Sequence, residues 1–317
     1  MSVAILAFFF DAVIGDPRSR YHPVVLMGNM IALLDGVFYR KDDSDRKKFF
    51  FGAVLALTIL FLSGTAASSL LYFTYWLRDY TDLWWLSYVL EALLLSFMIA
   101  PKSLAKAGDE IYKLLLNDDL TEARRKVGYI VGRDTEKLSP PEITRATVET
   151  IAENTVDGVI SPLFFYALGG LPLAVLYRAA NTMDSMLGYV EEPYKNIGFV
   201  PAKMDDVWNF IPARLTALLM ILPQTLSTFR FSLFTFVWKY GRRHASPNSG
   251  YPEAALAGIL DCRFGGSHYY FGQLFPKPYI GENDRPLTTD DMRKAVRVSR
   301  TSEVLAILIL LAVYCIK

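Results

Sequence analysis

One stretch of the chain, "FFFGAVLALTILFLSGTAASSLLYFTYWL" from Phe49 to Leu77, has no charged side chain. A helix needs roughly 20 apolar residues to cross a hydrocarbon core, so this block reads as a membrane helix with length to spare for tilt. A second block, Leu83 to Ala100, holds one charge, Glu91, and the polar link "RDYTD" makes the two an antiparallel hairpin. Of the 317 residues 52% are hydrophobic and 14% aromatic, gathered in blocks instead of scattered at amphipathic spacing. The expected class is an all-α, polytopic integral membrane protein.

The remaining apolar segments are interrupted. Met1 to Gly15 contains Asp11, Gly158 to Tyr177 contains "GGLP", Leu215 to Phe229 contains Pro223, and Val304 to Ile316 is short. Such breaks are tolerated where protein or water lines the broken backbone. About five to eight membrane segments are expected, some re-entrant or broken. They form a single membrane-embedded domain, 1–317, with a helical insertion at about 101–157. That insertion and the segment Arg40 to Lys48 are rich in Lys and Arg, which places both in the cytoplasm and the Arg78 to Asp82 link outside. The N-terminus lacks the basic start of a secretory signal. Cys262 and Cys315 are too far apart in sequence to suggest a zinc motif or a disulfide framework. A formal net charge of +1 gives no footprint for a nucleic-acid partner. Within the insertion, residues 102–134 read as two amphipathic helices, and Ser139, Pro140 and Glu142 spell the capped start of a third.

Four polar stretches stand out. In "DAVIGDPRSRYHPVVLMG", Asp11 lies inside an apolar helix, while Asp16, Arg18 and His22 follow at a turn forced by Gly15 and Pro17. They are equally a solvated helix end. In the second stretch Arg145, Glu149, Glu153 and Asp157 recur every four residues, with Asn154 beside them, and run directly into an uncharged segment. Three stacked carboxylates repel one another unless a metal ion or cationic substrate neutralises them, although charges at this spacing also mark a solvated face. The third stretch places Asn181 and Asp184 after the "GGLP" segment and Lys203, Asp205, Asp206, Asn209 and Arg214 before the next apolar one. Asp205 and Asn209 suit a Mg²⁺ site, Lys203 and Arg214 suit phosphate, and boundary salt bridges are the alternative. The fourth, "SPNSGYPEAALAG", is a turn presenting Ser246, Asn248 and Ser249 ahead of a helix, a place where an anion binds.

Together "GDP…HPV…MG", "VGRDT", "ETIAENTVDGVISPLFF", "NTMDSMLGY" and "SPNSGYPEAALAG", from about Asp11 to Gly266, closely resemble the adenosylcobinamide-phosphate synthase family of cobalamin biosynthesis. The resemblance implies a multi-pass inner-membrane ligase with its active site facing the cytoplasm. Such an enzyme forms an amide between a propionate carboxyl of adenosylcobyric acid and (R)-1-amino-2-propanol O-phosphate or the free aminopropanol, with ATP and Mg²⁺. It further implies that Glu149, Glu153, Asp157 and Asp184 are catalytic candidates, with Asp205, Asp206, Glu153 and Asp157 as metal ligands. Arg133, Arg145, Lys203 and Arg214 are candidate phosphate or carboxylate binders. Ser246, Asn248 and Ser249 are candidate anion contacts, and His22, Asn154 and Asn181 further substrate contacts. Membrane lipid and other corrinoid-pathway enzymes are the expected partners. Because the nucleotide is cytoplasmic, the segment Ile160 to Tyr177 is expected to be a re-entrant hairpin turning at Gly169–Gly170, with a kinked full span as the alternative. A cation-coupled transporter and a non-catalytic scaffold are the competing functions.

Overall fold

The computed structural model describes residues 2–17, 19–189, 193–270 and 272–316; Arg18 lies outside the described residues. Among these residues thirteen α-helices run in the order α1 (Ser2–Ile14), α2 (Pro23–Phe38), α3 (Asp45–Tyr80), α4 (Trp84–Ser96), α5 (Pro101–Leu116), α6 (Leu120–Val127), α7 (Pro140–Thr155), α8 (Ser161–Leu187), α9 (Phe199–Trp208), α10 (Phe210–Thr228), α11 (Ser232–Tyr240), α12 (Gly250–Leu260) and α13 (Thr289–Ile316). Between α12 and α13 lie four short strands, β1 (Phe264–Gly265), β2 (His268–Tyr270), β3 (Gln273–Phe275) and β4 (Tyr279–Ile280), in two antiparallel pairs, β1 with β4 and β2 with β3. Four helical stretches, Asp45–Tyr80, Trp84–Leu116, Pro140–Leu187 and Phe210–Thr228, are long and apolar enough to cross a membrane, and two shorter apolar helices precede them. The chain is a polytopic all-α membrane protein.

The residues divide into two compact units. The first comprises Met1–Ala100, Asp157–Asn209 and Leu310–Lys317. Its α3, 36 residues long, extends about 54 Å, well beyond a hydrocarbon core of about 30 Å. It packs on α2, α4, α8 and α9, while Phe61 on its outer side is 72% exposed, as a lipid-facing side chain is. Polar hydroxyls on these helices bond within their own helix: Thr58 donates to the Val54 carbonyl at 2.7 Å and Ser96 to that of Leu93 at 2.7 Å. That is the inexpensive way to place a hydroxyl in an apolar medium.

Helix α8 is not one rod. Gly169 (φ −150°, ψ 25°) and Gly170 (φ +67°, ψ −160°) leave helical geometry, and the second of these conformations is open essentially to glycine alone. A straight helix would hold Phe165 and Tyr177 about 18 Å apart, yet their rings stack with centroids 5.2 Å apart. The Arg178 guanidinium likewise reaches the Asp157 carbonyl at 3.4 Å. The chain therefore reverses at Gly169–Gly170, as the "GGLP" sequence predicted, and the apolar stretch 140–187 is not a single straight span.

The second unit comprises Pro101–Val156 and Phe210–Ile309. Its two expected amphipathic helices are α5 and α6, the latter capped by Asp119, which accepts the Glu122 N–H at 3.1 Å. Ser139 and Glu142 form the expected capping box on α7. Helix α12 is almost wholly buried among α7, α10 and α11, because "GYPEAALAG" offers small side chains that let neighbouring helices approach. The expected break at Pro223 does not occur, since α10 continues through it.

Candidate active site

In the second unit a cavity of about 280 Å³ is lined by α7, the loop before it, the turn before α12, and the β-strand segment. From α7 come Glu149 and Glu153, from "VGRDT" Arg133, from the turn and α12 His244 and Glu253, and from the strand segment His268, Tyr270 and Lys277. Arg133, only 7% exposed at its side chain, is bonded to Glu149 at 2.8 Å. The other Glu149 oxygen accepts the Gly265 N–H at 2.8 Å. Gly265 has φ +73°, and a Cβ there would lie 2.4 Å from the Pro278 carbonyl oxygen, so glycine is required for this approach. Both oxygens of Glu149 are thereby held, one by Arg133 and one by the Gly265 N–H.

The cavity fixes the protonation of its other groups. Burial first, and then the nearby carboxylates Glu149 and Glu153, push Glu253 well above the usual carboxyl range, which favours its neutral form. His244 Nε2 stands 3.9 Å from Glu253, but burial, reinforced by Lys277, lowers His244. Both shifts favour the uncharged forms, so at that distance the two are neighbours rather than an ion pair. His244 Nδ1 accepts the Ser246 N–H at 3.0 Å, which puts its ring proton on Nε2. Arg133 also touches His268 Nε2; a guanidinium can only donate, so that nitrogen is unprotonated. Burial first and Arg133 second lower His268 to about 4. Lys277 donates to the Tyr270 hydroxyl at 2.7 Å.

His268 carries a testable linkage. Its folded pKa lies below the unfolded value, so between about pH 6.5 and 4 the unfolded chain binds more protons and acid favours unfolding. His268→Asn is expected to remove about 1–2 kcal/mol of this acid sensitivity after solvent screening. Thermal unfolding in detergent from pH 7 to pH 4 should show a shallower fall for the variant, and parallel curves would remove the histidine from this role.

Glu153 lies at the exposed rim and accepts the Ser249 hydroxyl at 3.3 Å. Ser246 accepts the N–H groups of Asn248 and Ser249 at 3.2 and 3.3 Å, so the expected anion turn is closed upon itself. Asn248 is buried and faces Arg214 at 3.5 Å; Arg214 is sandwiched over Phe210 and Tyr251 at 3.6 and 4.1 Å. Arg145 leaves its Nε buried without a partner among the described residues, as does Arg133. Asn154 donates to the Thr150 carbonyl of its own helix at 3.0 Å.

The carboxylate ladder does not continue to Asp157. A π-helical turn, Val156–Ile160, follows α7 and adds a residue to the turn, which breaks the four-residue register. Asp157 belongs to the first unit, in a second polar cluster. There the Tyr177 hydroxyl approaches Asp157 at 3.4 Å and bonds Asn209 at 2.9 Å, and Ser161 donates to the same Asn209 oxygen at 2.6 Å. Asn209 and Asn181 donate to the two oxygens of Asp205 at 2.9 and 3.2 Å, and burial raises the Asp205 pKa despite them. Asp206 instead pairs with Lys203 at 2.6 Å. Asp184 lies against Gly188 at the end of α8, and His22 is buried 3.7 Å from Asp16 with burial lowering its pKa.

The expected metal set therefore needs correcting. Asp205 is occupied by amide donors, Asp206 by an ammonium, and Glu153 and Asp157 lie in different clusters. Among the described residues no three His, Cys, Asp or Glu side chains converge on a metal position. Sequence reasoning missed Glu253, His244, His268, Tyr270 and Lys277 in the cavity, and Tyr177 and Arg178 in the second cluster. Glu253 did carry a signal, as the only acid in an otherwise apolar helix.

The family described as CobD/Cbib protein matches residues 4–299. The cobalamin biosynthesis protein CobD of Citrobacter koseri is 39% identical over 98% of this chain and 96% of its own length. CobD of Clostridium perfringens is 38% identical, covering 98% and 97%, and CbiB of Salmonella typhimurium is 38% identical, covering 98% and 96%. No solved structure gives a significant match.

Proposed function

The chain belongs to the CobD/CbiB family, which makes adenosylcobinamide phosphate in cobalamin biosynthesis, and on that premise we propose a carbon–nitrogen ligase whose chemistry occurs in the cavity of the second unit. The substrates are the propionate carboxyl of adenosylcobyric acid, the amine of (R)-1-amino-2-propanol O-phosphate or free aminopropanol, and ATP, all taken from the cytoplasm. What carries the reading is one cavity that brings two basic side chains, Arg133 and Lys277, beside three carboxyl groups, Glu149, Glu153 and Glu253.

Amide formation from a carboxylate and an ammonium is uphill in water, so the carboxyl must first be activated. A carboxylate oxygen attacks the γ-phosphorus of ATP, the bond to ADP breaks, and an acyl phosphate results. The amine then attacks the acyl carbon and inorganic phosphate departs with the former carboxylate oxygen. Arg133 and Lys277 lower the charge repulsion of these steps, and the buried, unpartnered Arg133 Nε supports an anion beside it. Glu149 keeps Arg133 in place. Glu253, whose burial favours the protonated form, can donate a hydrogen bond, and Glu153 at the rim accepts the proton lost by the incoming ammonium. Among the described residues no His, Cys, Asp or Glu side chains form a metal cage, and Mg²⁺ accompanies the nucleotide.

Purified protein in detergent, given both organic substrates and ATP, should form the amide without two compartments, which a transporter cannot do. Glu153→Gln is expected to lower kcat at least about a hundredfold. Relief of repulsion toward Glu149, one turn away on the same helix, should leave stability unchanged or raise it by about 0.2–0.5 kcal/mol. A variant as active as the parent would remove Glu153 from the base role.

A further inference from the structure

Helix α13 has two faces of opposite character. Met292, Ala295, Ser299, Ser302 and Glu303 are buried, and Ser299 links Thr155 at 2.7 Å to Glu303 at 3.0 Å. That face is fixed within the protein. The other face carries Arg293, Arg297 and Arg300, followed by Val304 and Leu308, at spacings of three and four residues that keep them in one line. Val304 and Leu308 are 55% and 54% exposed, and beyond them the helix is apolar.

The three arginines, Thr301 and Val304 border a cavity of about 470 Å³ against α5. Asp109 is the single acid among its described lining residues. Arg293 lies over the Tyr112 ring at 5.5 Å, and among the described residues none of the three guanidiniums makes an ion pair. Three clustered cations against one carboxylate leave uncompensated positive charge where the helix changes from polar to apolar. Basic side chains followed directly by an apolar stripe are the pattern of a helix that meets lipid headgroups.

We propose that this cavity is a binding site for an anionic phospholipid. Its phosphate sits among Arg293, Arg297 and Arg300, and an acyl chain runs along Val304 and Leu308. A soluble anion would use the charge but leave the apolar stripe bare. A zwitterionic lipid would cover the stripe while bringing its own ammonium toward the arginines. The anionic lipid alone matches both halves.

The test titrates the full-length protein in neutral detergent with dioleoylphosphatidylglycerol, dioleoylphosphatidylcholine or inorganic phosphate, and reads bound lipid by native mass spectrometry. Phosphatidylglycerol should be retained at least about tenfold better than phosphatidylcholine, and excess inorganic phosphate should not displace it. Replacing all three arginines by glutamine should abolish the preference, while replacing them by lysine should keep most of it. Asp109→Asn should strengthen it, which provides a reading even if the glutamine variant fails to fold. Equal retention of the two lipids by the parent protein, displacement by phosphate, an unchanged preference in the glutamine variant, or no gain in Asp109→Asn would each overturn the site.

Discussion

Arg133→Met is expected to lose at least about a hundredfold in kcat/KM and about 3–5 kcal/mol of stability. The two effects have one origin. Arg133 and Glu149 are 7% and 13% exposed at their side chains, so removing the cation strands a carboxylate that water cannot reach well. The activity loss alone would be ambiguous, because a misfolded enzyme is also inactive. Arg133→Met combined with Glu149→Gln separates the causes. The amide can still accept the Gly265 N–H, and no charge is stranded, so most of the stability should return, as thermal unfolding in detergent will show. Activity should not return, since on the proposed function the cation that binds the anionic substrate is still missing. An active double variant would show that Arg133 serves the fold only.

The hairpin of α8 makes the second large prediction. Gly170→Val puts a β-branched residue at φ +67°, ψ −160°, at a cost of about 1–3 kcal/mol. The neighbourhood does not cause this, since a Cβ at Gly170 would meet nothing closer than Pro172 at 3.8 Å. Backbone strain alone does. Arg178 holds the returning arm by donating to the Met98 carbonyl at 3.1 Å and the Asp157 carbonyl at 3.4 Å, so Gly170→Val should lower the unfolding temperature without removing the membrane insertion of α3. If the hairpin returns the chain to the side it left, a single cysteine at Lys203, 60% exposed at its side chain, will resist impermeant thiol reagents in intact cells and react in inverted vesicles. The opposite labelling pattern would contradict the hairpin.

What the sequence disclosed and what it hid follow from physical causes. The block Phe49 to Leu77 announced α3 because an uncharged run of that length has few alternatives, and Ser139 with Glu142 announced α7 because a capping box depends only on neighbours in sequence. "GGLP" disclosed the reversal since only glycine accepts the required φ. The ladder was misread beyond Glu153: extrapolating an α-helical period cannot foresee a π turn, which is where Asp157 leaves the register. His268, Tyr270 and Lys277 were hidden for another reason. They sit on strands of two or three residues and the loops joining them, too short for any periodicity, and reach the cavity only through tertiary packing. Asp205 and Asn209 do share a helix face, as their spacing indicated, but they bond to each other at 2.9 Å instead of presenting paired oxygens to a metal.

On the proposed function the protein activates a corrinoid carboxyl as an acyl phosphate and transfers it to an amine. The most direct measurement uses adenosylcobyric acid labelled with ¹⁸O in its free carboxyl, incubated with the purified protein, ATP, Mg²⁺ and aminopropanol phosphate. The mechanism predicts one ¹⁸O in the inorganic phosphate released for each amide formed, and loss of that transfer in Arg133→Met. Amide formation with the departing ¹⁸O found in water or in AMP instead of inorganic phosphate, or no amide with any nucleotide, would contradict it.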